Sequence, residues 1–67
     1  MRVYSIEYNY VISNGYYQGN FYFVTSDPIE TNFDNILNKI CNIENLKIKD
    51  TKENYFDFTV IPLVTLK

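Results

Sequence analysis

Residues 2–25, RVYSIEYNYVISNGYYQGNFYFVT, decide the fold because two strand-like runs flank a single turn signal. Asn14-Gly15 is the dipeptide most typical of a two-residue hairpin turn, since a type I′ turn needs positive φ at both central residues. Aromatic and β-branched residues, which favour strands, dominate both runs. The sequence therefore predicts an antiparallel β-hairpin.

The turn also predicts a register for this hairpin. With Asn14 and Gly15 in the loop, Tyr10 faces Gly19 and Ile6 faces Phe23. One face of the hairpin is then almost wholly apolar, whereas the other is mostly polar. A shift by one residue would mix the two sets, so we expect the apolar face to be buried.

A helix is predicted after the hairpin. Ser26-Asp27-Pro28 is a typical helix start, residues 31–34 offer a second start, and Asn45 is a suitable end. Asparagine, a poor helix former, fills much of one side, so the helix depends on packing its other side. The apolar stripe at helical spacing comprises Ile29, Phe33, Ile36, Leu37, Ile40 and Ile43.

The last third of the chain predicts a second hairpin. Residues 46–49 alternate between apolar and charged, residues 50–54 are an all-polar loop, and residues 55–66 form a long strand-like run. Pro62 cannot donate to a ladder, so we expect this strand at an edge, or bulged or ended there. The sequence thus predicts one α+β domain over residues 1–67, a two-layer ββαββ fold with an antiparallel sheet and one helix packed on one face.

The predicted core combines the apolar face of the first hairpin, the helix stripe and the apolar face of the second hairpin. Because one helix covers only one face of a sheet, the opposite face is expected to stay uncovered. The core residues are Tyr4, Ile6, Tyr8, Ile12, Phe21, Phe23, Ile29, Phe33, Ile36, Leu37, Ile40, Ile43, Leu46, Ile48, Phe56, Phe58 and Val60.

The composition argues against an enzyme. There is no histidine, the commonest general base and metal ligand. Cys41 is the single cysteine, which excludes a disulfide framework and a CxxC metal site. The two glycines, Gly15 and Gly19, cannot form a phosphate-binding loop. We therefore predict no catalytic residues, no metal site and no cofactor, and we expect Cys41 to pack as a small apolar residue.

The charge balance argues against a dedicated nucleic-acid binder. The chain has six basic and eight acidic residues and a net charge of −2. Lys47, Lys49 and Lys52 nevertheless form a small basic edge on the second hairpin, and tyrosines on an open sheet can stack bases. A single-stranded nucleic-acid binding or regulatory protein is therefore an alternative function.

The tyrosines point to a protein interface. Tyrosine provides a large, rigid contact area and is enriched where proteins bind each other. Tyrosine and aliphatic residues on the uncovered face would stay exposed, which is typical of a partner site. The predicted partner-binding residues are Tyr16, Tyr22, Tyr55, Asp57, Ile61 and Leu63.

These features predict a small, non-enzymatic protein-binding module. The abundant residues Asn, Ile, Lys, Phe and Tyr have AT-rich codons, which fits a phage or mobile element of a low-GC bacterium. We expect such a protein to inhibit or modulate a larger host protein, for instance of a defence system, by steric blockade. A homodimer is also expected, because a chain of about 60 residues buries only about 60% of its unfolded surface.

A structural role for the chain is a further alternative function. As a subunit of a larger assembly, the chain would pair its edge strands along residues 1–6 or 59–66.

No apolar run approaches the roughly 20 residues that span a bilayer, and the first residues do not resemble a signal peptide. We therefore expect no membrane association and a cytoplasmic location, in the host cytoplasm if the protein is phage-encoded.

Overall fold

The computed structural model describes residues 1–66 as an antiparallel three-stranded sheet with helices. The predicted α+β class is therefore confirmed. The sheet order is β2-β1-β3, and the elements in chain order are β1 (Arg2–Ile12), β2 (Gly15–Thr25), a 3-10 turn (Ile29–Asn32), α1 (Phe33–Glu44), α2 (Ile48–Glu53) and β3 (Phe56–Thr65).

The core lies between β1 and α1. Ile6 of the central strand and Ile36 and Ile40 of the helix are fully buried. Burial of each such aliphatic side chain contributes about 1.5–3 kcal/mol to the free energy of unfolding. The even-numbered residues of β1 face the helix, and Tyr4, Ile6, Tyr8 and Tyr10 are all buried there.

The first hairpin turns at Ser13-Asn14, with φ values of 51° and 64°, rather than at Asn14-Gly15. Ile12 therefore pairs with Gly15, and the predicted register is wrong by two residues. Because side chains alternate with a period of two, this shift leaves every residue on its predicted face. The predicted apolar face is thus confirmed, although the pairs across it are not.

Aromatic packing explains the observed register. The ring of Tyr8 covers Gly19, and Tyr10 stacks on Tyr17 with 5.2 Å between ring centroids and 19° between ring planes. In the predicted register Tyr10 would instead have faced Gly19. The stacked pair adds about 0.5–1.5 kcal/mol beyond area burial. The predicted register lacks this stacked pair, which therefore favours the observed register.

The helix α1 begins at the second of its two predicted starts and ends where predicted. The Asn32 amide Nδ2 donates to Thr25 Oγ1 (3.3 Å), which ties the start of α1 to the end of β2. Asn45 ends the helix in the left-handed region, with φ 57° and ψ 45°. The Leu46 N–H then donates to the Cys41 carbonyl (2.8 Å), as is usual after such a C-cap.

The predicted third strand, over residues 46–49, is wrong, because α2 begins at Ile48. Local hydrogen bonds account for the helix. The backbone N–H of Lys47 donates to the Asp50 carboxylate (2.9 Å), and the Asp50 N–H donates to the Lys47 carbonyl (2.9 Å). Asn54 Nδ2 donates to the Asp50 carbonyl (3.0 Å). These bonds satisfy the backbone without a neighbouring strand.

The predicted core is confirmed in large part. Phe33, Ile43 and Ile48 are exposed rather than buried, and Leu37 is half-buried. Tyr10 was not among the predicted core residues but is buried. Partly buried residues that pack around the buried cluster are Ile12, Phe21, Phe23, Ile29, Leu46, Phe56, Phe58 and Val60.

Replacing Gly19 with alanine is expected to destabilise the protein by about 1–3 kcal/mol through overpacking. The new Cβ would lie 2.6 Å from Cζ of Tyr8, a buried and hydrogen-bonded side chain that cannot swing aside. Gly15→Ala is the matched control, because its Cβ would lie 2.7 Å from Tyr17, which is 46% exposed and can move outward at the cost of its stacking on Tyr10. Urea unfolding measures the loss in the free energy of unfolding of both variants. A loss for Gly15→Ala as large as that for Gly19→Ala would contradict this account.

Candidate functional site

The face of the sheet that α1 leaves uncovered is the candidate site, and we call it the open face. It carries the odd-numbered residues of β1 and their neighbours on the two outer strands. Paired residues form rows that cross all three strands, so the sheet register decides which side chains lie together. Three regions follow one another along the strands: an apolar end, a polar centre and a second apolar end.

The first apolar end is rich in valine, and we call it the valine end. Val3 lies between Val24 on β2 and Val64 on β3. In the next row Tyr22 and Ile61 flank the central strand, where both pair with Ser5. Tyr22 is 69% exposed, the largest value among the exposed apolar side chains.

The opposite apolar end is dominated by tyrosine, and we call it the tyrosine end. Val11 pairs with Tyr16 on β2, and its N–H donates to the Tyr55 carbonyl (3.0 Å) on the other side. Tyr55 therefore continues the ladder one residue before β3. Tyr16 is 63% exposed and Tyr55 is 58% exposed.

The polar centre separates these two ends. It forms a shallow depression of about 510 Å³ whose lining includes Glu7, Asn9, Gln18, Asn20 and Thr59. Asp57 pairs with Asn9, next to the row that contains Glu7. The centre therefore combines carboxamide groups, which donate and accept hydrogen bonds, with two carboxylates.

The open face is acidic. Glu7 and Asp57 lie on it, whereas no lysine or arginine of residues 1–66 belongs to its rows. Arg2 alternates to the helix side of β1, where it pairs with Thr25. A ligand of this face would therefore meet negative charge between two apolar ends.

The predicted partner-binding residues do not form a single patch. Tyr16 and Tyr55 lie at the tyrosine end, Tyr22 and half-buried Ile61 lie at the valine end, and exposed Asp57 lies in the polar centre. A β-strand rises about 3.4 Å per residue, so the two ends are roughly 20 Å apart.

A bulge changes the position of the sixth predicted residue. The β1–β3 register shifts between Val3 and Tyr4, which leaves Leu63 without a partner on β1. Val64 takes the place in the row that regular alternation would have given to Leu63. Sequence reasoning missed Val64 for this reason. It also missed Glu7, although the alternation of β1 put Glu7 on the polar face.

A cluster of titratable groups lies on the helix side of the sheet. Tyr8 O–H donates to Glu44 Oε2 (2.6 Å), and Tyr10 O–H donates to Glu44 Oε1 (2.7 Å). Burial and the bond to Glu44 raise the pKa of Tyr8 to about 12, and the same causes raise the pKa of Tyr10 further. Both phenols are buried and share the Glu44 carboxylate, so this cluster clamps the end of α1 to β1.

The remaining candidates for chemistry also have structural roles. Cys41 is buried, and burial, with a smaller effect of Asp50, raises the pKa of its thiol, which opposes nucleophilic activation. Among residues 1–66, no group of three or more Cys, Asp and Glu side chains is placed to hold a metal ion. No helix in that range is both long enough and apolar enough to cross a membrane.

The lysines predicted as a basic hairpin edge lie on a helix and at its N-cap instead. Lys47 precedes α2, and Lys49 and Lys52 belong to it, interleaved with Asp50 and Glu53. The predicted edge is wrong because residues 46–49 do not form a strand. The exposed tyrosines of the open face are thus on different elements from these lysines.

One of the two strand edges proposed for assembly differs from expectation. β1 is the central strand, so residues 2–6 are already paired on both sides and cannot form an edge. Residues 59–65 do lie on an edge strand, β3.

No protein-family model, curated protein or solved structure matches the chain.

Alkaline pH is expected to destabilise the protein through the Glu44 clamp. Both tyrosines hold their protons more tightly when folded, so the unfolded chain ionises first as the pH rises. The free energy of unfolding should therefore fall from about pH 10 upward through about pH 12. The Tyr8→Phe/Tyr10→Phe variant lacks both protons and should lose less stability over this interval. Urea unfolding at several pH values measures the difference, and equal losses would contradict the prediction.

Proposed function

We propose that the protein is a small, non-enzymatic protein-binding module that docks on its partner through the open face. The observation that carries this proposal is the exposure of Tyr22 at one end of the face and of Tyr16 and Tyr55 at the other. Exposed aromatic side chains that gather on one face are typical of interfaces, where a few such anchors provide most of the binding energy.

The size of the molecule supports this use of the face. The principal extents are 43 × 17 × 16 Å. One long side is therefore of the same order as the roughly 800 Å² that each partner contributes to a standard interface. A partner that covers both ends at once also covers the polar centre, where the amides of Asn9, Gln18 and Asn20 can bond to its backbone or side chains.

The charges of the open face favour a partner of particular chemistry. Glu7 and Asp57 lie between the two apolar ends without a basic neighbour in their rows. A complementary partner surface carries Lys or Arg between two apolar recesses, since matched charges speed association and exclude wrong partners. Face-to-face stacking of two copies would instead bring four carboxylates together, so a different protein is the better occupant.

Inhibition by steric blockade is the mechanism that suits such a module. A protein without catalytic groups acts on its partner by occupying a surface. The phage or mobile-element origin and the host target rest on composition alone and stay predictions.

Open-face variants are expected to lose the partner. Tyr22→Ala/Tyr55→Ala removes one anchor from each end, and each truncation should cost about 2 kcal/mol or roughly 30-fold in Kd. Glu7→Lys/Asp57→Lys reverses the charge of the centre and should weaken binding most at low salt. Ile48→Ala is the control, because it truncates an exposed apolar side chain on α2. Affinity capture from a low-GC bacterial lysate with nuclease treatment, followed by quantitative mass spectrometry, compares the four proteins.

The pattern across the variants decides the outcome. A protein that is retained by the wild type and Ile48→Ala, but lost by both open-face variants, supports the proposal. Retention by all variants, or no specific protein at all, would contradict it. A partner that disappears with nuclease treatment would favour the nucleic-acid alternative instead.

A further inference from the structure

The edge strand β2 carries none of the charges, prolines and bulges that prevent edge pairing. Exposed edges in monomeric proteins carry charges, proline or bulges. The other edge, β3, has Asp57, Pro62 and a bulge. β2 is 11 residues long and contains no charged residue and no proline.

The backbone groups that β2 leaves unpaired can be identified from one hydrogen bond. The Val11 N–H donates to the Tyr55 carbonyl, so the odd-numbered residues of β1 bond to β3. The backbone N–H and C=O groups of successive residues point to opposite sides of an antiparallel strand, so the even-numbered residues of β1 bond to β2. Their partners on β2 are odd-numbered, as in Tyr10 with Tyr17. The N–H and C=O groups that point away from the sheet therefore belong to Tyr16, Gln18, Asn20, Tyr22 and Val24.

We propose that β2 pairs with β2 of a second copy, antiparallel, about a two-fold axis at Asn20. The two sheets would then form one continuous sheet of six strands. An axis at Asn20 gives the one antiparallel register in which all five outward-pointing residues of each copy meet an outward-pointing residue of the other. A shift of the axis in either direction leaves backbone groups at the ends unpaired.

The side chains on the open face agree with this register. Gln18 of one copy faces Tyr22 of the other, Tyr16 faces Val24, and Asn20 faces Asn20. None of these pairs brings like charges together, and Tyr16 with Val24 is an aromatic–β-branched pair of the kind that stabilises cross-strand contacts.

The side chains on the helix side agree as well. Gly19 of one copy faces Phe21 of the other, so an aromatic ring lies across from a residue without a side chain. Tyr17 faces Phe23, a second aromatic pair. Lys39 lies over the Phe21 ring at 5.1 Å from the centroid, and this cation–π contact holds its charge on the helix side.

This dimer leaves the open face free. A two-fold axis perpendicular to the sheet puts both α1 helices on one side and both open faces on the other. The dimer therefore goes beyond the proposed function without competing with it, and it would present two copies of the docking face to a partner. Its test is independent of any partner, so each proposal can fail alone.

Charge substitutions at Asn20 test the axis. Asn20→Lys and Asn20→Glu each put like charges directly opposite one another, and each variant should dimerise roughly tenfold or more weakly than the wild type. A mixture of the two variants should form a one-to-one heterodimer. Thr59→Lys is the matched control, because Thr59 and Asn20 pair with Glu7 from opposite sides. Sedimentation gives the oligomeric state, native mass spectrometry identifies the heterodimer, and circular dichroism verifies folding.

The proposal would be overturned by a monomeric wild type at high micromolar concentration, by a dimer that both Asn20 variants retain, or by a mixture that yields no heterodimer. An equal loss of dimer in Thr59→Lys would also overturn it. If the variants fail to fold, isotope-filtered NMR on a mixture of labelled and unlabelled wild type provides the answer. Contacts between Gly19 of one copy and Phe21 of the other support the two-fold axis, and their absence from a dimer excludes it.

Discussion

The position of β1 between two partner strands is the constraint on which the rest of the structure depends. Both of its edges are used, and one of its faces is buried under α1, with Ile6 fully buried. Glu44 holds the end of α1 against this face through the phenols of Tyr8 and Tyr10. One face and the outer edges of the sheet remain free. The two proposals concern these free surfaces: the open face for a different protein and the edge of β2 for a second copy.

Periodic features of the fold could be predicted from the sequence. Alternation in residues 2–25 indicated which side chains share a face, and that assignment holds even though the turn is at Ser13-Asn14. The apolar stripe predicted α1, and Asn45 ends it in the left-handed region as expected. Such features follow from the spacing of apolar and polar residues, which can be read from a single sequence and which indicates the buried side. The exposed tyrosines of the candidate site follow from the same alternation.

Features that depend on competing contacts could not be predicted. A shift of two residues preserves both faces of a hairpin, so only the cross-strand packing, such as the Tyr10–Tyr17 stack, distinguishes the two registers. The alternation of residues 46–49 suggested a strand, whereas bonds between Lys47 and Asp50 favour a helix. The bulge that puts Val64 in place of Leu63 arises from the pairing of β1 with β3. The same pairing sets the rows of the open face, so its division into two apolar ends emerges only from the structure.

Amide hydrogen exchange along β2, measured by NMR on dilute protein, tests the central claim most directly. The account predicts slow exchange for the odd-numbered amides, such as Gly19 and Phe21, which bond to β1. It predicts fast exchange for Gln18 and Asn20, whose N–H groups point away from the sheet. A hairpin that turned at Asn14-Gly15 would direct the even-numbered amides to β1 instead. Slow exchange at Gln18 and Asn20 with fast exchange at Gly19 and Phe21 would therefore contradict the register, and with it the outward edge on which the dimer depends.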